Sequence, residues 1–416
     1  MDNQPGEECL MACCDEPRLL PLSEALARMQ AATSPVHEHQ NVPLAQLLDR
    51  VLAEPVRAGF NVPGYDNSAM DGYALRTEDA SQPLKLIGQS LAGHAFKGQL
   101  QSGECVRITT GACVPEGANA VVMQENTLNE DDWISITQAP RPGENIRRAG
   151  EDITQGNEVL PAGHRLGPVD IALLASLGQA ETRVKRRLKL AVMSTGDELT
   201  PPGETLPTGY IYDSNRYGLI AMLQRLNVEI VDLGLIPDQP DAIRVTLEEA
   251  GQEADAIISS GGVSVGPADY VKDILAELGE INFWKVAIKP GKPFAFGKLG
   301  NSTFFGLPGN PVSAMVTMHQ LALPILRAMA GEIAPPPLTL TATAATPYKK
   351  RPGRQDFQRA RLSLHDGENW VSSNGAQGSG VLTSFRDANA YAVLEQERGR
   401  VEPGENVEVI PFDRFL

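Results

Sequence analysis

The chain has 416 residues and a formal net charge of −16, from 52 acidic and 36 basic side chains. That length exceeds one ordinary core and predicts roughly two to four domains. The acidic balance excludes bulk attraction to nucleic acid or an anionic membrane, so an anionic ligand must be held by local cations. No stretch approaches the roughly 18 consecutive apolar residues of a membrane span.

The opening MDNQPGEECLMACCDEP lacks a basic flank followed by an apolar core, so a soluble cytoplasmic protein is expected. Cys9, Cys13 and Cys14 crowd this tail within an odd set of five cysteines, which argues against a disulfide framework. A metal there would need further ligands, and the tail is assigned no function. Leu22, Ala25, Leu26 and Met29 predict a short helix. Pro43, suited to a first helical turn, opens a second with Leu44, Leu47, Leu48, Val51 and Leu52 on one face.

From Ala58 to about Thr154 short runs such as CVRIT, AVVMQ and WISIT are split by turn residues, which predicts a mainly β module. The helical stretch VDIALLASLG follows. From Leu188 strands and helices alternate: LKLAVMS, a helix from Tyr217 to Leu226, VEIVDLGLI, a helix near 241–250, DAIISS, and a helix after Asp269. This predicts a parallel, doubly wound sheet. Two strands, PFAFGKL and STFFGL, and a long apolar helix over about 311–330 come next. APPPL marks a boundary, beyond which TLTATAAT, RARLSL, YAVLEQ and ENVEVIPF predict an all-β domain with turns such as HDGEN.

In an open parallel sheet, ligands bind beyond the carboxyl ends of the strands. Four loops occupy that edge. STGDEL offers Ser194, Thr195, Gly196, Asp197 and Glu198, and IPDQP offers Asp238; SGGVSVGPAD offers Gly261, Gly262, Ser264 and Asp269, and GLPGNPVSA offers Pro308, Gly309 and Asn310. Glycine lets backbone amides approach an anion closely, and helix N-termini favour negative charge, so a phosphate-bearing ligand is expected. No G-x-G-x-x-G or Walker A sequence occurs at these loops. The carboxylates among them suit Mg²⁺, which takes one or two carboxylates together with substrate phosphates. Asp269 alone also reads as a helix cap, and Asp238 as a turn residue before Pro240. Lys285, Lys289 and Lys292 supply cations, the last two on the stiffened KPGKP loop.

GVSVG also fits the G-x-S-x-G nucleophile elbow, with Ser264 in the serine position. An elbow needs the serine on a single turn between strand and helix, whereas here the helix signal starts only at Asp269. His319 and His365 are the only downstream histidines, and His319 lies inside an apolar helix. Ser264 is therefore read as an anion-loop residue.

GYDNSAMDGYALR, IRRAGEDI, STGDEL, SGGVSVGPADY, KPGKPFAFG and GLPGNPVSA, in this order, closely resemble the molybdopterin molybdenumtransferase (MoeA) family. The resemblance covers nearly the whole chain beyond the N-terminal tail. STGDEL and SGGVSVG also resemble loops of molybdopterin adenylyltransferases and CinA-like proteins; DNSAMDGYA makes the narrower match. The domain division read with it is a helical and extended region at 18–57 and 155–186, and an inserted β module at 58–154. A central α/β molybdopterin-binding domain follows at 187–332, and a barrel-like β domain at 333–416.

The resemblance implies molybdenum cofactor biosynthesis: molybdate is inserted into the dithiolene of adenylyl-molybdopterin and AMP leaves, with Mg²⁺ involved. By matching motifs it implies functional roles for Asp71, Thr110, Asp152, Glu198, Asp238, Asp269, Lys285 and Lys289, with Glu198 and Asp238 as metal ligands. Molybdate is expected at Lys289, Lys292, Arg359 and Ser379, with Ser384 the alternative serine. Arg147 and Arg148 also read as a solvated surface pair. The family further implies a homodimer in which Asp71 and Thr110 act in trans. Molybdopterin adenylyltransferase and later cofactor-processing proteins are the expected protein partners. A noncatalytic molybdopterin-binding scaffold or carrier, or an adenylyltransferase, are the competing readings.

Overall fold

The computed structural model describes residues 19–262 and 270–416, with Phe283 described only through its backbone. The chain divides into two compact units. One comprises Asn41–Leu48 with Leu52–Arg183; the other comprises the chain up to Gln40, Asp49–Val51 and Val184–Leu416. Among the described residues no helix is long and apolar enough to cross a membrane.

The first predicted helix forms as α1 (Leu22–Ala32), burying Ala25 and Met29. The second does not. His39–Pro43 is extended, Leu44–Gln46 makes one 3₁₀ turn, and Asp49 takes a left-handed φ of 62°. Pro43 therefore ends a strand rather than opening a helix. Leu47, Val51 and Leu52 are still buried, so their spacing reported burial and not helical geometry.

The smaller unit is built on a six-stranded sheet of β1 (Gly72–Leu75), β2 (Leu84–Ser90), β3 (Glu104–Ile108), β4 (Ala120–Met123), β5 (Thr127–Glu130) and β6 (Trp133–Ile136). Its order is β4-β1-β3-β2-β6-β5. Period-two alternation sends Tyr73 and Leu75 into one core and Ala74 into another, so both faces are covered. Helix α2 (Pro168–Ser176) follows with Pro168 in its first turn.

The larger unit holds the alternating elements. They are β7 (Lys189–Thr195), α3 (Asn215–Gln224), β8 (Glu229–Ile236), α4 (Pro240–Glu253), β9 (Ala256–Ser260), α5 (Tyr270–Leu278), β10 (Gly279–Lys285), β11 (Pro293–Leu299) and β12 (Ser302–Leu307). The sheet order is β8-β7-β9-β12-β11-β10. β8, β7, β9 and β12 are parallel, but β11 runs antiparallel to β12, and β10 antiparallel to β11. The expected parallel sheet is therefore present as four strands and extended by two antiparallel ones, which makes the whole sheet mixed. The reversal follows from the short Gly300–Asn301 connection, which can close only a hairpin, whereas a parallel partner needs a crossover. β10, GEINFWK, is a strand the sequence reading passed over. Leu190 and Val192 pack with Leu219 and Leu223 of α3 on one face, while Ala191 and Met193 pack with Ile243 and Leu247 of α4 on the other.

The predicted helix over 311–330 forms α6 (Pro311–Thr317) and α7 (Leu323–Met329), joined by a π turn at Met318–Ala322. Pro324 lacks an N–H and cannot continue the ordinary ladder, which accounts for the wider turn just before it. Beyond it lie β13 (Leu340–Ala344), β14 (Gln355–His365), β15 (Glu368–Ser373), β16 (Ala390–Leu394) and β17 (Asn406–Pro411). They close a five-stranded barrel in the cyclic order β14-β15-β13-β17-β16, returning to β14. HDGEN is the turn between β14 and β15, and β15 itself was not foreseen.

Candidate functional site

The strand registers bring four loops to one edge. Ser194 pairs with both Leu235 and Ser260, and Ser260 pairs with Leu307, so β7, β8, β9 and β12 end side by side. The loops after them carry Gly196–Glu198, Asp238, Gly261–Gly262 and Pro308–Asn310. This is the carboxyl edge at which α/β sheets bind ligands. Gly261 has φ 92°, and a Cβ there would lie 2.6 Å from the Thr195 carbonyl oxygen, so only glycine lets the two loops approach this closely.

A polar network fixes the edge. The Thr195 hydroxyl donates to Asp238, whose N–H donates to Asp197 Oδ1 at 3.2 Å. Ser194 Oγ donates to Asp213 Oδ1 at 3.0 Å, and Asp213 accepts Arg216 Nε at 2.8 Å. Arg216 also reaches Asp232 of β8 at 2.5 Å. Burial disfavours the charged guanidinium, but the two carboxylates outweigh it and raise the Arg216 pKa. Asn215 Nδ2 donates to Ser260 Oγ at 2.9 Å and to the Gly309 carbonyl at 2.7 Å, tying the third and fourth loops together. Asp213, Asn215 and Arg216 were missed in the sequence. The polar run DSN at the start of α3 was the available signal, but it reads equally well as a helix cap.

Glu198 and Asp238 stand on the loops after the neighbouring strands β7 and β8, with the Glu198 carboxylate beside Gly196. Among the described residues no group of three or more His, Cys, Asp or Glu side chains could hold a metal ion. Two oxygen-donor side chains without a closed protein cage suit Mg²⁺, which keeps waters and substrate phosphates as its remaining ligands. Asp269 and Ser264 lie outside the described residues.

On the basic side, a hydrogen bond from the Val286 N–H to the Lys292 carbonyl (2.8 Å) closes the KPGKP loop. Gly291 has φ 107°, and a Cβ there would meet Thr317 Cγ2 at 2.4 Å, which seats the loop against α6. Lys292 is exposed and Lys285 half-buried. Lys289 is half-exposed and already paired on one side: its Nζ donates to Asp356 Oδ2 at 3.1 Å.

Arg359, expected at molybdate, is only 1% exposed. Its Nε donates to Ser384 Oγ at 3.0 Å and one Nη to the Phe357 carbonyl at 3.2 Å. The other Nη is buried with no hydrogen-bond partner among the described residues. Burial lowers its pKa from the usual arginine value. The geometry pairs Arg359 with Ser384 rather than Ser379. Ser379 instead presents its carbonyl to the Val312 N–H at 3.0 Å, at the start of α6.

In the smaller unit the structure brings Asp71 and Thr110 together. Asp71 Oδ1 accepts the Thr110 N–H at 2.7 Å and its hydroxyl at 3.0 Å. The backbone hydrogen bond, then the hydroxyl, hold the carboxyl below its ordinary pKa. Asp152 is exposed, with its N–H on the Val62 carbonyl at 3.1 Å. Arg148 pairs with Asp66 at 2.6 Å, while Arg147 lies in a two-residue pairing opposite Asn67.

The hydrolase alternative loses both its histidines. His319 is buried in the π turn between Asp413 (3.1 Å) and Gln320 (2.8 Å), and His365 is exposed at the end of β14.

A mixed α/β sheet with glycine-bearing loops and carboxylates at its carboxyl edge, followed by a small β-barrel, defines a multidomain class whose α/β part carries a ligand-binding edge. Three family models match in succession: the MoeA N-terminal region (domain I and II) over residues 20–178, a probable molybdopterin binding domain over 191–328, and the MoeA C-terminal region (domain IV) over 341–412. A molybdopterin molybdenumtransferase from Haemophilus influenzae is 46% identical over 403 residues, covering 96% of this chain and all of its own. A Nostoc protein of the same name is 37% identical, covering 87% of this chain and 86% of its own. The crystal structure of a molybdopterin biosynthesis moeA protein from Pyrococcus horikoshii superposes with a TM-score of 0.82 at 30% identity, over 95% of this chain and all of that one. The chain belongs to the molybdopterin molybdenumtransferase (MoeA) family.

Proposed function

We propose that the protein inserts molybdate into the dithiolene of adenylyl-molybdopterin and releases AMP, yielding molybdenum-molybdopterin. The observation that carries this reading is the 46% identity to a molybdopterin molybdenumtransferase over 96% of the chain. The polar edge beyond β7, β8, β9 and β12 supports it. Backbone amides of the Gly196, Gly261–Gly262 and Pro308–Asn310 loops are the contacts for the pterin phosphate and the AMP moiety, together with Ser194, Thr195, Asp197 and Ser264.

Glu198 and Asp238 are the residues to hold Mg²⁺, with the Thr195 hydroxyl orienting Asp238. Held by these two carboxylates, Mg²⁺ would supply charge neutralisation at the phosphates and polarisation of their oxygens. Asp71, held ionised by Thr110, Asp152 and Asp269 are the remaining acidic positions of the reaction. Lys285 is the further cationic position of the reaction; Lys289 and Lys292 supply cations for the molybdate dianion, with Arg359 and Ser379, or Ser384 as the alternative serine, contributing from the barrel. The protein is read as a cytoplasmic homodimer that receives its substrate from a molybdopterin adenylyltransferase. The division at 18–57 with 155–186, 58–154, 187–332 and 333–416 is the domain scheme we adopt.

The test is direct. Purified protein with adenylyl-molybdopterin and Mg²⁺ should release AMP only when molybdate is added, and the product should activate a molybdoenzyme apoprotein. Tight pterin binding without AMP release in either condition would identify a carrier instead.

A further inference from the structure

Lys289 and Asp356 face each other by register: the Ile288–Lys289 segment runs parallel to the start of β14, with Lys289 opposite Asp356. The Lys289 side chain is 42% exposed, whereas that of Asp356 is 2% exposed. Among the described residues, one of the three ammonium donors is used, on Asp356 Oδ2 at 3.1 Å. An ammonium held in this way from behind keeps donors for a ligand in front.

The carboxylate is itself fixed. Gln358 Nε2 donates to Asp356 Oδ2 at 3.3 Å and to the Lys349 carbonyl at 3.0 Å, so the amide is tied at both ends. Lys350 lies deeper, 8% exposed, with Nζ donating to the carbonyls of Gln396 (3.1 Å), Arg398 (2.9 Å) and Arg351 (3.3 Å). Three carbonyl acceptors require three N–H donors, which the ammonium has and the neutral amine lacks. Burial lowers the Lys350 pKa, while Asp356, Glu397 and Glu395 favour its charged form and Lys289 opposes it. Asp356 thus sits in the field of a second, immobile cation. It remains a compensated carboxylate when the outer ammonium turns toward an anion.

We propose that Asp356 is a positioning residue for oxyanion capture: it anchors the half-exposed Lys289 ammonium toward a tetrahedral metal oxyanion, while Lys350, fixed on backbone carbonyls, supplies a second positive charge behind it. This rests on the reading of Lys289 as a molybdate contact. A bare lysine on a loop spreads its ammonium over many rotamers, and pinning it on a buried carboxylate removes most of that entropy before the anion arrives.

The experiment measures tungstate binding to the full-length protein by equilibrium dialysis, and the molybdate KM in the AMP-release assay, for Lys289→Met, Asp356→Asn, Asp356→Glu, Gln358→Leu and the Lys289→Met/Asp356→Asn double variant. Asp356→Asn is expected to weaken tungstate binding and raise the molybdate KM by about tenfold or more, the scale of one charge-assisted hydrogen bond. The double variant should be no weaker than Lys289→Met alone, because both changes remove the same contact. Asp356→Glu should recover part of the loss. Gln358→Leu, which keeps the charge and loosens its anchor, should show a smaller loss and serves as the measure should Asp356→Asn fail to fold.

Weakening by Lys289→Met with unchanged or tighter binding in Asp356→Asn and Gln358→Leu would overturn the positioning role alone. Additive losses in the double variant would do the same. Unchanged tungstate binding in Lys289→Met would overturn the reading of Lys289 itself, and the positioning role with it.

Discussion

Thr110 presents two donors to a single oxygen of Asp71: its backbone N–H at 2.7 Å and its hydroxyl at 3.0 Å. The backbone bond is the larger influence and the hydroxyl the second, and together they depress the Asp71 pKa. A depressed folded-state pKa means that Asp71 stays ionised as pH falls through the ordinary aspartate range, protonating only below it. In a ¹³C-carboxyl NMR titration, Thr110→Val should move the Asp71 midpoint upward while leaving it below the model-peptide value, because the backbone donor remains. Asp71→Asn should abolish AMP release with an unchanged melting temperature, since the side chain is exposed. An unshifted midpoint in Thr110→Val would show that the hydroxyl contributes nothing in solution.

Glu198 and Asp238 supply the two carboxylates at the ends of β7 and β8. Replacing either with its amide should raise the Mg²⁺ concentration needed for half-maximal AMP release by at least about tenfold, as loss of metal-site groups commonly does. Thr195→Val, which removes only the hydroxyl that orients Asp238, should give a smaller rise. A Mg²⁺ titration of the three variants reads both effects.

Asn215 holds Ser260 and the Gly309 carbonyl with one amide nitrogen. Asn215→Ala should cost about 1–3 kcal/mol of stability, the scale of two lost hydrogen bonds. The same variant should weaken AMP binding, because the third and fourth loops lose their common anchor. Chemical denaturation and isothermal titration with AMP distinguish the two losses. Unchanged AMP affinity in a destabilised variant would mark Asn215 as purely structural.

Asp255 lies just before β9, where both carboxylate oxygens accept from Arg186 (2.6 and 2.7 Å) and one also accepts the Lys189 N–H at 2.8 Å. Burial alone would raise its pKa, but the Arg186 hydrogen bonds and the Lys189 amide outweigh it and hold the value low. A depressed carboxylate pKa contributes stability that is present above the unfolded-state value near about 4 and lost as pH falls through the folded value. Asp255→Asn should therefore destabilise by about 1.5–3 kcal/mol at neutral pH, the worth of hydrogen bonds to a charged group. The gap from wild type should narrow as the pH drops below about 4. Urea midpoints between acid and neutral pH measure it.

The strands and sheet-covering helices of the larger unit were legible because burial repeats at short range along the chain. Leu190 and Val192 alternate with Ala191 and Met193, and Leu219, Met222 and Leu223 recur at helical spacing. The run from Pro43 to Leu52 shows the limit of that signal, since Leu47, Val51 and Leu52 are buried without forming a helix, while Leu48 is exposed. β10 was missed because GEINFWK follows a helix with no turn residues between them, and only its pairing with β11 makes it a strand.

By itself the sequence determined the alternation that places four glycine-bearing loops at strand ends, and the six ordered motifs that mark the family. Each depends on residues close together in the chain, where spacing and turn chemistry act directly. Tertiary structure alone decided which of those residues have partners. Lys289 meets Asp356 across 67 positions, Asn215 meets Gly309 across 94, and Arg359 meets Ser384 rather than Ser379. The first pairing is set by strand register, in which a one-residue slip would turn the side chain to the opposite face, while the other two depend on where α3 and the 3₁₀ turn at Leu382–Phe385 pack.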